Sequence, residues 1–195
     1  MCGWAIKQTA APAEEPITLA EAKLHLRVDS NDDDTLITNL IVAAREWCEG
    51  FQNRAYITQS YVLTMDRFPR RDFIRIPRPP LQSIASVKYT SSEGIVMTID
   101  PGDYQVDTNS EPGRIVLAVG KSWPATTLQA ANAVAIDFTA GYGTASDVPQ
   151  AVKQAMLLLI GGWYEQREYL LIGRPTQEVP FAVTALLSQA RVVPI

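Results

Sequence analysis

Apolar residues recur at intervals of three and four in the first part of the chain, which is the spacing of amphipathic helices. Thr18 is followed by Glu21 at capping-box spacing, so a short helix is predicted to begin at Thr18. The apolar positions between Leu36 and Phe51 form a stripe along one side of a second helix, predicted over residues 33–50. The chain therefore opens with a helical region.

The spacing of apolar residues changes to two beyond Tyr56, as expected for half-buried strands. The alternating runs are separated by turn-forming residues, and they predict about six short strands in an antiparallel β unit. Helical spacing returns over residues 152–164. This segment is apolar nearly all round, so it is predicted either to be the central element of the helical part or to be shared with a neighbouring subunit. A last short helical pattern covers residues 181–187.

This order of elements predicts an α+β fold in which a small helical bundle of three to four helices carries an inserted antiparallel β unit. We expect a flexible leader over residues 1–16, because this stretch is rich in Ala, Glu and Pro and lacks periodicity. The helical domain is expected to consist of residues 17–55 and 149–195, and the inserted β domain of residues 56–148.

The chain has 195 residues and a formal net charge of −4. Residues 1–55 contain nine acids against five bases, whereas the rest of the chain is balanced. This charge argues against a protein that holds nucleic acid by wrapping it in positive charge. Two cysteines, no secretory signal pattern and no apolar run of membrane-spanning length indicate a soluble protein made in a reducing compartment.

Four carboxylates and an amide lie within six residues at the start of the second helix. A calcium loop starting at Asp29 would need Gly at its sixth position and a carboxylate at its twelfth, but these positions hold Asp34 and Leu40. Carboxylates are favoured at a helix start by the helix dipole and by unpaired N–H groups. We therefore interpret Asp32, Asp33 and Asp34 as the cap of the second helix and predict no metal site.

No catalytic or cofactor-binding motif is visible in the sequence. His25 is the only histidine, whereas the usual catalytic triads and zinc sites need His together with Ser, Cys or further His. Phosphate-binding and dinucleotide fingerprints are missing, and nothing singles out a pair of carboxylates.

One basic cluster stands out, consisting of Arg67, Arg70, Arg71, Arg75 and Arg78. The cluster has two interpretations. In the first it is a solvated loop and edge strand, where charge discourages unwanted strand pairing. In the second it is an electrostatic contact surface for DNA or for an acidic partner.

Three stretches of the chain stand out together. They are Pro-Ile-Thr-Leu-Ala-Glu-Ala-Lys-Leu-His-Leu-Arg-Val over residues 16–28, Ile-Pro-Arg-Pro-Pro-Leu over residues 76–81 and Phe-Thr-Ala-Gly-Tyr-Gly over residues 138–143. A predicted helix that ends in Trp163 and Tyr164 follows them. In this order, the stretches resemble the head-tail connector (adaptor) proteins of tailed phages. The resemblance covers residues 16–191.

The resemblance implies a structural virion protein of the head-tail neck. Such a protein, made in the cytoplasm of the host bacterium, would assemble as a twelve-fold ring beneath the portal protein and bind the stopper or tail-completion protein. DNA would pass through the lumen of the ring without being read, and no enzymatic activity, cofactor or membrane contact is expected. The implied candidate subunit or portal interface consists of Trp163, Tyr164, Arg167, Phe181, Leu186, Leu187 and Arg191. The arginine cluster is the candidate lumen or partner surface.

Three alternatives stay open at this point: a stopper or tail-completion protein, a cell-wall hydrolase, and a sugar-binding β module. Stopper proteins are usually dominated by β structure, so the helices that flank the insert argue against the first. A hydrolase would need a pair of carboxylates in a cleft.

Overall fold

The structure, a computed structural model, describes residues 3–166 and 181–193. The chain forms two compact units, each built from two stretches. The β unit comprises the described parts of Met1–Pro12 and Thr58–Gly141, and the helical unit those of Ala13–Ile57 and Tyr142–Ile195. The predicted α+β class is confirmed.

The helical unit contains α1 (Leu19–Leu26), α2 (Asp34–Gln52), α3 (Gln150–Glu165) and α4 (Phe181–Ser188). The predicted capping box is present at the start of α1, where Glu21 N donates to Thr18 Oγ1 at 3.2 Å and Thr18 N donates to Glu21 Oε2 at 2.7 Å. The second helix continues past Gly50 and ends at Gln52, and the left-handed backbone of the C-cap residue Asn53, with φ of 54°, closes it.

The core of the helical unit lies around α3, which contacts α1, α2 and α4 as its nearly all-round apolar surface predicts. Its buried side chains are Val152, Ala155, Met156, Leu159 and Ile160. Among the described helices, none is both long enough and apolar enough to cross a membrane.

The β unit contains eight strands in two antiparallel sheets. They are β1 (Trp4–Ala10), β2 (Gln59–Met65), β3 (Phe73–Arg75), β4 (Leu81–Thr90), β5 (Val96–Thr98), β6 (Tyr104–Asp107), β7 (Arg114–Leu117) and β8 (Val134–Ala140). The larger sheet has the order β1-β2-β8-β4-β5, and the smaller sheet has the order β3-β7-β6.

The period-two pattern explains the centre of the larger sheet. Every second side chain of β2 and β8 is buried, and the register places Tyr61 opposite Phe138 and Leu63 opposite Ile136. The rings of Tyr61 and Phe138 stack with centroids 5.4 Å apart. These apolar cross-strand pairs fix the register, because a shift by one residue would turn the buried side chains outward.

The N-terminal leader is a correction to the prediction. Residues 1–16 were expected to be mobile, but Trp4–Ala10 forms β1, which pairs with β2 from Trp4 opposite Met65 onward. The strand has almost no buried side chain, so it lacks the alternation that identifies strands in sequence. Its pairing rests on main-chain hydrogen bonds.

Asp107 at the end of β6 is expected to make the stability of the β unit sensitive to acid. Its carboxylate accepts hydrogen bonds from Ser110 and Arg114, which lower the pKa of Asp107 to about 2. An unfolded Asp titrates near 3.9, so the stabilisation is fully present above that pH and is lost as the pH falls through about 2. Urea unfolding of Asp107→Asn should show lower stability at pH 7 and a weaker loss between about pH 4 and pH 2.

The matched control is Asp72→Asn, since the Asp72 side chain is exposed. Equal acid sensitivity in wild type and Asp107→Asn would contradict the role of Asp107.

Candidate assembly interface

One face of α2 carries polar side chains that are buried instead of exposed. Arg45 is buried, and it donates through Nη1 to Glu49 Oε2 at 3.0 Å and through Nε to Glu15 Oε2 at 2.8 Å. Burial raises the pKa of Glu15, and the guanidinium of Arg45 opposes that rise. A charge removed from water needs such partners, so Arg45 holds the segment before α1 against α2.

The same face continues to the segment that follows α2. Glu49 Oε1 accepts from the backbone N of Tyr56 at 2.7 Å, and the Tyr56 hydroxyl donates to Gln52 Oε1 at 2.7 Å. Burial raises the pKa of Tyr56 far above its ordinary value, so its hydroxyl stays a donor at neutral pH. Burial also raises the pKa of the neighbouring Cys48 thiol to about 12, so this thiol stays protonated.

The C-terminal segment, defined as Phe181–Val193, is held by the end of this polar face. Gln52 Nε2 donates to the backbone O of Leu187 at 2.6 Å, and Arg54 Nε donates to the backbone O of Ala190 at 2.5 Å. The last carbonyl groups of a helix have no partner within the helix. Side chains from α2 and the residues after it therefore complete the C-terminal end of α4.

Val192 adds two further hydrogen bonds to this contact. Its N donates to the backbone O of Gln52 at 2.9 Å, and its O accepts from Asn53 Nδ2 at 2.8 Å. The guanidinium of Arg191 lies 4.7 Å from the centroid of the Phe51 ring, which stacks on Trp47 with centroids 5.4 Å apart. Arg191, a predicted interface residue, is thus engaged within its own chain.

The other predicted residues of the C-terminal segment divide into exposed and buried ones. Phe181 is 86% exposed at one end of the segment, and Val193 is 76% exposed at the other. Leu187 is fully buried in the core of the helical unit, and Leu186 is half-buried against it. Of the predicted apolar residues here, Phe181 offers a free surface, whereas Leu187 serves internal packing.

Trp163 and Tyr164 lie near the end of α3, where both are half-buried against the helical core. The Tyr164 hydroxyl donates to Asp33 Oδ2 at 2.6 Å, which joins the end of α3 to the start of α2. Their predicted role between subunits stays a prediction. Arg167 lies outside the described residues.

The acidic turn lies at the cap and first turn of α2, where it was predicted. Asp33 occupies the N-cap position and Asp34 the first turn. The Asp33 side chain makes no capping hydrogen bond, and its carboxylate accepts from Tyr164. Asp34 pairs with Lys23 at 2.6 Å, and Asp32 is exposed. The turn therefore also stabilises the helical unit through tertiary contacts, which the sequence did not predict.

The predicted arginine cluster lies in the β unit, around β3. Arg67, Arg70, Arg71 and Arg75 are exposed, whereas Arg78 is half-buried with a left-handed backbone. We call the four exposed residues, together with Phe73, the arginine surface. Across the part of the chain that the structure describes, none of these four guanidinium groups lies within ion-pair distance of a carboxylate.

Packed aromatic rings hold the arginine surface in place. Arg71 and Arg75 lie 5.7 and 5.8 Å from the centroid of the Phe73 ring. The backbone O of Arg71 accepts from Trp123 Nε1 at 2.8 Å, and the Trp123 ring stacks on Phe68 at 5.1 Å. The arginines are therefore presented from an anchored loop and strand.

Within residues 3–166 and 181–193, three or more His, Cys, Asp or Glu side chains nowhere come together as potential metal ligands. His25 lies on an exposed position of α1.

Comparison with known families identifies the relationship. The sequence model of the head completion protein family matches residues 15–177. The chain belongs to the head completion protein family. This membership confirms the resemblance found in the sequence. Among curated protein sequences, none matches the chain.

Solved structures show the same fold. A chain in the neck of an empty GTA particle computed with C6 symmetry is similar with a TM-score of 0.80 and 23% identity, over 98% of this chain and 97% of that chain. A chain of the native gene transfer agent (GTA) virion gives 0.78 and 23%, over 97% and 96%. A chain in the neck of a native GTA particle computed with C12 symmetry gives 0.78 and 24%, over 98% and 97%.

The burial of the polar face of α2 was not predicted from the sequence. Glu49 and Gln52 lie among the polar residues of an amphipathic helix, which usually face water. A local signal was present for Gln52, because it lies four and eight positions after the buried residues Cys48 and Ala44 and therefore on the same side of the helix.

We expect Gln52→Ala to loosen the C-terminal segment. The substitution removes the partners of the Leu187 carbonyl and the Tyr56 hydroxyl in a buried environment, which should cost about 1–3 kcal/mol of stability. Hydrogen exchange of residues 181–193 should become faster, and thermal unfolding should occur at a lower temperature.

Gln154→Ala on the exposed side of α3 provides the control. Unchanged exchange across residues 181–193 in Gln52→Ala would show that the C-terminal segment does not depend on this side chain.

Proposed function

We propose that the protein is a structural component of the head-tail neck of a phage or phage-like particle. It assembles as a ring of twelve copies beneath the portal protein and links the capsid to a stopper or tail-completion protein. DNA passes through the lumen of the ring without being read. The protein performs no catalysis in this role.

The observation that carries the proposal is membership of the head completion protein family over residues 15–177. Further support comes from the fold shared over 98% of the chain with a chain in the neck of a GTA particle. That particle was computed with C6 symmetry and another neck with C12 symmetry, and ring assembly agrees with both. A net charge of −4 suits a channel that must release DNA, since a strongly basic lumen would bind phosphates.

The C-terminal segment is the proposed docking element of the protomer. Its middle is fixed by the contacts of Gln52 and Arg54, whereas Phe181 and Val193 at its two ends are exposed apolar residues. An aromatic side chain on a fixed backbone can bind without a large loss of conformational freedom. We assign Phe181 to the contact with the portal or with a neighbouring copy.

Purified protein mixed with the portal protein of the same particle should form a ring stacked on the portal. Negative-stain electron microscopy with symmetry analysis measures both the stacking and the number of copies. The portal alone and the protein alone are the controls. Protein that stays monomeric and never binds the portal would contradict the proposed function.

Phe181→Ser should weaken ring formation on the portal without lowering thermal stability, because Phe181 is exposed. Leu187→Ala is the matched comparison, since loss of a fully buried leucine should lower stability by about 2–5 kcal/mol. Thermal unfolding and the portal-binding assay measure the two effects separately. Normal portal binding by Phe181→Ser would remove this residue from the proposed interface.

A further inference from the structure

The two units of the chain differ in charge. The described residues of the helical unit include eleven acids and six bases, whereas those of the β unit include eight acids and nine bases. The net charge of −4 therefore comes from one acidic unit and one nearly neutral unit. Within the nearly neutral unit, the position of the bases decides where a positive surface lies.

Most bases of the β unit outside the arginine surface are neutralised locally. Ion pairs join Lys88 to Asp137 at 3.1 Å, Arg114 to Asp107 at 2.8 Å, and Lys121 to Asp103 at 2.7 Å. The arginine surface is different, because its four exposed guanidinium groups have no carboxylate within ion-pair distance among the described residues. Positive charge is therefore concentrated at one place on the unit.

Positive groups lie close together at this surface. Arg75 lies directly opposite Arg114 in the register of β3 and β7, and Arg114 is paired with Asp107 whereas Arg75 has no carboxylate within ion-pair distance among the described residues. Arg71 and Arg75 also approach the same Phe73 ring. Neighbouring guanidinium groups of this kind attract a negatively charged partner.

The composition of the surface favours a protein partner. It combines four arginines with Phe73 and has no lysine, and arginine and aromatic residues are enriched at protein interfaces whereas lysine is depleted. The guanidinium fork also matches the geometry of carboxylates. Its anchoring through Trp123 reduces the ordering that binding requires.

We propose that the arginine surface binds the acid-rich helical unit of a neighbouring copy of this chain. A ring of identical copies requires two different, complementary surfaces on each protomer, and opposite charges on the two units supply them. The inference rests on the ring of the proposed function. In the helical unit, Asp29 and Asp32 are exposed acids without a partner among the described residues, which makes them suitable for charge reversal.

The test uses charge exchange between chains, assembled on the portal protein. One variant carries Arg67→Glu and Arg70→Glu, and a second carries Asp29→Lys and Asp32→Lys. Each variant alone should need on the order of tenfold more protein for half-maximal ring formation, because like charges then meet at every contact. An equimolar mixture should assemble as well as wild type, since alternating copies restore opposite charges around a ring of even number.

The controls separate folding from assembly. All four positions are exposed, so both variants should unfold at the temperature of wild type. The control substitution Lys7→Glu lies at an exposed position of β1 and makes the same change of charge as Arg70→Glu. The Lys7→Glu protein should assemble normally.

Three outcomes would overturn the inference. The first is that the wild-type protein forms rings and each variant on its own assembles normally as well. The second is that ring assembly is restored in a chain carrying all four substitutions but not in the equimolar mixture of the two variants. The third is that the arginine variant assembles normally but loses the salt-dependent binding of wild type to double-stranded DNA. That result would show that the arginine surface binds phosphate groups. Failure of the wild-type protein to form rings would instead overturn the proposed function.

Discussion

The buried polar face of α2 determines how distant stretches of the helical unit meet. Arg45, Glu49 and Gln52 each bind a different segment of the chain, namely the segment before α1, the one after α2, and the end of α4. Apolar packing around α3 supplies most of the driving force, but it is not directional. The polar contacts are directional, and a buried group that loses its partner is costly. They therefore fix one arrangement among those that the apolar core would tolerate.

The sequence predicted elements whose information is local. The capping box of Thr18 and Glu21, the stripe along α2 and the alternation of β2 all act within a few residues, so each could be recognised without the fold. The polar face of α2 could not, since the burial of Gln52 depends on Leu187, 135 residues away. Polar residues on an amphipathic helix are read as solvent-facing unless the partner is known.

Two features that the sequence did not predict have the same cause. The edge strand β1 has almost no buried side chain, so its sequence carries no alternation, and only the neighbouring β2 reveals the strand. Asp33 is the N-cap residue of α2, but its carboxylate accepts from Tyr164 at the end of α3 and makes no capping hydrogen bond. In both places a tertiary contact decides the structure, and local propensity gives only a weak preference.

In the proposed function, the C-terminal segment connects this polar face to assembly. If the middle of this segment were held by apolar contacts alone, the hydrophobic effect that holds it would also favour burial of the Phe181 ring. The side chains of Gln52, Asn53 and Arg54 donate hydrogen bonds to main-chain carbonyl groups of the segment, an interaction that does not require the aromatic ring. The protomer therefore remains folded with Phe181 exposed, which is what the proposed contact requires. A protein that must be stable before it joins a particle needs this separation, since a surface used for folding is no longer available for binding.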